Sequence, residues 1–99
     1  MKYNKYILNR FLTEKVAINV ETQQEWNDFM KLLEKETNLK WMGCKIPTYF
    51  DHWYRYQGES SIVFNFRDGD TLSFATSDFY QSKSYEVIKY KYLIKEEKQ

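Results

Sequence analysis

The stretch KVAINVETQQEWNDFMKLLEKE, residues 15–36, holds the two readings from which the fold class follows. From Lys15 to Val20 the chain alternates, with Val16, Ile18 and Val20 on one side and Ala17 and Asn19 on the other, the pattern of a strand with one buried face. Thr22 then opens a helix. Its hydroxyl is placed to accept the amide three residues on, and Glu25, at that third position, reaches back to the cap, which makes a capping box. Trp26, Phe29, Met30 and Leu33 follow at i, i+3, i+4 and i+7 as one apolar stripe on a helix running to about Glu36. Asp28, Lys31, Glu34, Lys35 and Glu36 form its wet side, and Asn38, which tolerates the left-handed conformation, is the expected stop.

Outward from this stretch the elements are shorter. Tyr6 to Leu12 is expected to contribute a strand or turn, Leu39 to Met42 a strand, and Trp53 to Gln57 another, with Gly43, Pro47 and polar residues breaking the chain between the last two. Ser61–Phe66 and Thr71–Thr76 form a hairpin. A three-residue loop, Arg67-Asp68-Gly69, pairs Phe64 with Leu72 and Ile62 with Phe74, keeps the apolar faces together and leaves Gly69 where a positive φ is wanted. Ser77 to Ser82 is a turn or one helical turn with Ser77 as cap. Tyr85 to Leu93 is a final strand, with Glu86, Ile88, Tyr90 and Tyr92 on one face and Val87, Lys89 and Lys91 on the other. The expectation is an α+β domain over residues 1–99, with 95–99 a frayed tail: a mostly antiparallel sheet of about five strands and one amphipathic helix packed on one face.

Composition bounds the function. The chain has 99 residues and a formal net charge of +1, from 15 Lys and Arg against 14 Asp and Glu, which argues against a protein dominated by phosphate contacts. A single cysteine, Cys44, cannot form an internal disulfide, which suits a reducing cytoplasm. No apolar run resembles a signal-peptide core or a membrane span, so a cytoplasmic location without membrane attachment is expected. Cys44 and His52 lie close in sequence, but no nucleophile turn accompanies them; Cys44 reads as a small buried hydrophobe and His52 as a loop or surface residue. One Cys and one His with scattered carboxylates fall short of a metal site, Asp68 and Asp70 flank a glycine turn, and the three glycines stand too far apart to cradle a phosphate. Neither an enzyme nor a cofactor is expected.

What remains is an excess of rings. Nineteen residues are aromatic, and six of them fall between Trp41 and Tyr56. Tyr and Trp join an apolar body to a polar tip, so a surplus of them is typical of binding surfaces. Tyr49, Trp53, Tyr54, Arg55 and Tyr56 are the candidate binding residues, while Trp41, Phe50 and Trp53 also suit a role covering the sheet face that the helix leaves open. About half of the segment is expected in the core and half exposed. Lys89 and Lys91, alternating with Tyr90 and Tyr92, offer either a basic stripe for an anionic partner or the guard of an edge strand.

The run Phe11-Leu12-Thr13-Glu14-Lys15-Val16-Ala17-Ile18, Thr22 opening a helix, Lys40-Trp41, Trp53-Tyr54 and a closing Tyr85-Glu86-Val87-Ile88 together resemble short uncharacterised proteins encoded by phages and prophages of low-GC Gram-positive bacteria. Ser84 stands where a Gly often precedes the closing Tyr in that group, and the aromatic loop is longer here. The resemblance implies a phage origin and a non-enzymatic protein that disables host machinery.

Three functions follow as expectations. The first is an anti-defence, anti-CRISPR-like inhibitor, monomeric or a small homo-oligomer, that blocks a host defence or replication protein by covering it. The second is an oligomeric sponge that encloses a nucleotide-derived immune signal between rings and cations. The third is a single-stranded nucleic-acid binder using the Tyr/Lys strand.

Overall fold

The computed structural model describes residues 2–66 and 69–94. A helix α1 (Lys5–Thr13) leads into strand β1 (Val16–Asn19), helix α2 (Gln23–Glu36) and strand β2 (Lys40–Trp41). A helical turn α3 (Trp53–Tyr56) precedes the hairpin of β3 (Ser60–Asn65) and β4 (Thr71–Thr76). Helix α4 (Ser77–Ser82), strand β5 (Glu86–Lys89) and a final helical turn α5 (Tyr90–Leu93) complete the described chain. The five strands form one sheet in the order β2-β4-β3-β1-β5.

The fold class is α+β as expected, but the sheet is mixed rather than mostly antiparallel and carries more than one helix. β3 runs antiparallel to β1 and β4, whereas β5 lies parallel to β1 and β2 parallel to β4. The cause is connectivity. A helix between two strands makes a crossover, and crossovers join parallel strands. α2 links β1 to β2 in this way and α4 links β4 to β5, leaving β3–β4 as the one hairpin in the sheet.

The central strands of the sheet are covered on both faces. Val16, Ile18, Ile62 and Leu72 meet Trp26, Phe29, Met30, Leu32 and Leu33 of α2, Leu8 and Phe11 of α1, and Tyr90 and Leu93 of α5. Phe11 and Phe29 pack edge to face at 5.4 Å. On the other face Tyr80 of α4 seals Ala17 and Val63. For this reason all four residues of β1 are buried, where alternation had pointed to one wet face. Asn19 is accommodated there because its Nδ2 donates to the carbonyls of Gly58 and Ser60, at 3.0 and 2.9 Å.

The capping box forms with a shift of one residue. Thr22 Oγ1 accepts the Glu25 amide at 3.1 Å, while the Glu25 carboxylate accepts the amide of Glu21, one residue before the cap, at 2.7 Å. The helix stops at Thr37 in extended conformation, its hydroxyl donating to the Leu33 carbonyl, and no left-handed Asn38 is involved. The hairpin register is the one derived from the sequence, with Phe64 opposite Leu72 and Ile62 opposite Phe74. Gly69 has φ +96 as anticipated. Arg67 and Asp68, and the proposed tail at Lys95–Gln99, lie outside the described residues.

Four expectations are corrected. Tyr6–Leu12 is helical, because Asn4 caps the Ile7 amide and Leu8 and Phe11 share an inward face. Trp53–Gln57 is a helical turn rather than a strand. The cap of α4 is Thr76, which accepts the Phe79 amide at 3.2 Å, rather than Ser77. The last strand ends at Lys89, where the chain turns inward so that Tyr90 and Leu93, three positions apart on one helical turn, enter the core. No continuous Tyr/Lys stripe therefore runs along a strand, although β5 does occupy a sheet edge.

Candidate functional site

The aromatic segment leaves β2 through a tight reversal. Gly43 and Cys44 take positive φ, 84° and 63°, and the Trp41 amide donates back to the Lys45 carbonyl at 2.8 Å. A short 3₁₀ turn, Pro47–Tyr49, then leads through Phe50, Asp51 and His52 to α3. Irregular backbone needs partners for its carbonyls, and three indoles supply them. Trp41 Nε1 donates to the Pro47 carbonyl at 2.9 Å, Trp26 Nε1 to that of Phe50 at 3.3 Å, and Trp53 Nε1 to that of Val20 at 3.0 Å. The Glu34 carboxylate accepts the Thr48 hydroxyl at 2.6 Å, and Asp51 accepts the Gln23 amide group at 3.0 Å. The segment is tied to α2 at several points.

With those groups turned inward, others face out. Tyr54 is 66% exposed, Tyr49 59% and Met42 80%, and Ile46, Arg55 and Tyr56 are exposed beside them. Beneath these lies a chain of ring contacts: Tyr49 to Phe50 at 4.9 Å, Phe50 to His52 at 5.1 Å, His52 to Phe74 at 5.0 Å, and Phe74 to Tyr56 at 5.8 Å. A shallow hollow of about 320 Å³ opens between Met42, Phe50, His52 and Phe74. The Lys45 ammonium lies 4.7 Å from the Tyr49 ring centre, a cation–π contact that orients the ring at the patch rim. His52 is half-buried, its ring nearly parallel to that of Phe74, and its Nδ1 is buried without a hydrogen-bond partner.

Of the seven binding candidates, Tyr49, Tyr54, Arg55 and Tyr56 are at the surface around this patch. Trp53 is half-buried and packs on the core. Trp41 is core and Phe50 half-buried, so the expected division of the segment between interior and surface is observed. Lys89 and Lys91 lie elsewhere. They belong to β5 and α5, and the strands β3 and β1 intervene between β5 and the strand carrying Phe74. Lys89 pairs with Glu21 at 3.4 Å, and Lys91 stands over Tyr92 at 5.5 Å. Cys44 is exposed rather than buried, because the left-handed turn at 43–44 projects from the sheet edge. Among the described residues no cluster of His, Cys, Asp or Glu could hold a metal ion, and no helix is long and apolar enough to cross a membrane.

Sequence reasoning missed the middle of this patch. Phe74 is its centre, in ring contact with His52 and Tyr56, although the hairpin pattern marks that residue only as a sheet position. No family model matches the chain, and neither a curated protein nor a solved structure does.

Proposed function

We propose that the patch around Tyr49, Tyr54 and Tyr56 docks onto another protein, and that the chain is a phage-encoded accessory protein that disables a host defence or replication component by covering it. The observation that carries this reading is the contrast within one short segment: the Trp26 and Trp41 indoles tie its backbone down and the Trp53 indole anchors it to Val20, while its tyrosines and Met42 stay in water. Rings held in this way lose little further freedom on binding, which favours affinity. Tyr, Met and Arg are also the residue types enriched at protein interfaces. The exposed Arg55 and Lys45 at its rim fit a partner whose complementary surface has an apolar centre and acidic margins. The spaced likeness to phage proteins supports the host-directed role, and steric blockade needs no turnover.

The test is capture from host lysate by the full chain beside Tyr49→Ala and Tyr54→Ala. Both variants are expected to keep an unfolding free energy within about 0.5 kcal/mol of wild type, as surface substitutions do, while losing the captured protein at least about tenfold, one hot-spot side chain's worth. Equal capture by wild type and variants would remove the patch from the interface.

A further inference from the structure

The second face of the sheet carries a different surface. α4 is six residues long and fully buries Ala17 and Val63 while leaving Ala75, Tyr85 and Val87 half-buried around them, so the far ends of β3 and β4 extend beyond it. The result is an open groove of about 590 Å³, within the range of small-molecule sites. The hairpin lines it with the small side chains Ser73 and Ala75 of β4, Asn65 of β3, and the rings of Phe64, Phe66 and Phe74. Its walls are Phe79 and Tyr85, half of Phe79 being exposed.

Three observations define what would fit. Lys15 and Lys83 stand at the rim, each over a wall ring, at 5.1 Å from Tyr85 and 5.7 Å from Phe79. Neither has a carboxylate partner, and no carboxylate lines the groove, among the described residues. On the floor, Asn65 Nδ2 donates to the hydroxyls of Thr71 and Ser73, which fixes the amide so that its Oδ1 remains an unused acceptor. The groove thus offers aromatic walls, an acceptor on the floor and two cations at the mouth. An aryl or heteroaryl plane stacks on the walls, an amine or imide N–H on its edge meets Asn65, and a phosphate meets the lysines.

We infer that this groove binds a nucleoside phosphate, with the base between Phe79 and Tyr85 over Asn65 and the phosphate at Lys15 and Lys83. The groove borders the hollow of the docking patch, sharing Ser73 and Phe74 with it, but none of the exposed tyrosines of that patch lines the groove.

Thermal unfolding and NMR titration of the full chain with each ribonucleoside monophosphate test the inference, with adenosine and inorganic phosphate as the separated halves of the ligand. At least one monophosphate is expected to raise the midpoint in a concentration-dependent manner, and to do so more than either half. Lys15→Glu and Lys83→Glu, both at exposed positions, are expected to weaken that nucleotide at least about tenfold, the worth of one charge-assisted hydrogen bond. Lys83→Gln gives the same reading with a smaller effect should charge reversal unsettle α4. Tyr54→Ala is expected to bind the nucleotide as wild type does, so loss of protein docking and loss of this site register separately. The inference is overturned if no monophosphate shifts the midpoint, if inorganic phosphate alone binds as well, or if the lysine variants retain wild-type affinity.

Discussion

His52 shows how a single side chain can serve packing at a cost in polarity. Its ring lies between Phe50 and Phe74 at 5.1 and 5.0 Å, close to parallel with both, while Nδ1 is buried without a partner. A buried polar atom left unsatisfied costs about 1–3 kcal/mol. His52→Phe keeps a flat ring in the slot and removes that atom, so the thermal midpoint is expected to rise, by about 4 °C or more for about 1 kcal/mol in a domain of this size; a lower midpoint would show that Nδ1 has a partner in solution. Gln57 is a second such place. Its φ of 49° with ψ of −127° is a conformation that suits glycine, and it costs a side-chain-bearing residue on the order of 1–3 kcal/mol. Allowing for the looser unfolded chain, Gln57→Gly is expected to stabilise by about 1 kcal/mol in denaturant unfolding. The Ser84 backbone, φ 68°, closes α4 in the left-handed region, a conformation that glycine adopts more readily than serine. Trp53 is the residue whose role the sequence left open. Its indole bond to Val20 and its contact with the core make Trp53→Ala destabilising, by about 2–3 kcal/mol, rather than a clean probe of binding.

At the scale of elements, legibility followed how much of each signal was local. The start and the buried face of α2 were readable because its cap and stripe are both written within fifteen residues, whereas its stop at an extended Thr37 was not; Thr22→Ala is expected to cost about 1 kcal/mol through loss of the Glu25 amide's partner, measured by urea unfolding. The hairpin register was readable because only one pairing keeps Ile62, Phe64, Leu72 and Phe74 on one face. α1 had a signal that alternation did not capture: Ile7 with Phe11 and Leu8 with Leu12 at i, i+4, after an Asn at the cap. The end of β5 had none. Glu86 to Tyr92 alternates well enough for a strand, and the chain leaves the sheet at Tyr90 because α1, α2 and β1 leave an apolar space that Tyr90 and Leu93 fill. That is a tertiary fact, absent from any local window. In the same way the ring-rich segment was legible as a place of surplus, whereas which rings turn inward depended on where the carbonyls of Val20, Pro47 and Phe50 came to lie.

At the scale of the molecule, the two crossovers on opposite faces cover the middle of both sheet surfaces and place phenols there. Burial pushes the Tyr90 hydroxyl up to about 12, with Asp28 and Glu25 nearby adding to the effect, and raises Tyr80 as well. A phenol whose folded value lies above its unfolded value near 10 favours the native state fully below that pH. That contribution is then lost as the solution rises through about 12. Alkaline unfolding is therefore expected above about pH 10, with part of the tyrosinate absorbance appearing only together with the loss of circular dichroism. Tyrosinate absorbance that is complete before that loss would contradict the packing of Tyr80 and Tyr90. The unequal lengths of β2 and β4 carry a last consequence. β2 accompanies β4 only at Thr71 and Leu72, so the outer rim from Ser73 to Thr76 has no strand beside it. An open rim of this kind is where fibres begin to grow, and it is at Phe74 that His52 and Tyr56 crowd in. Those bulky side chains stand in the way of a second copy zipping onto this rim.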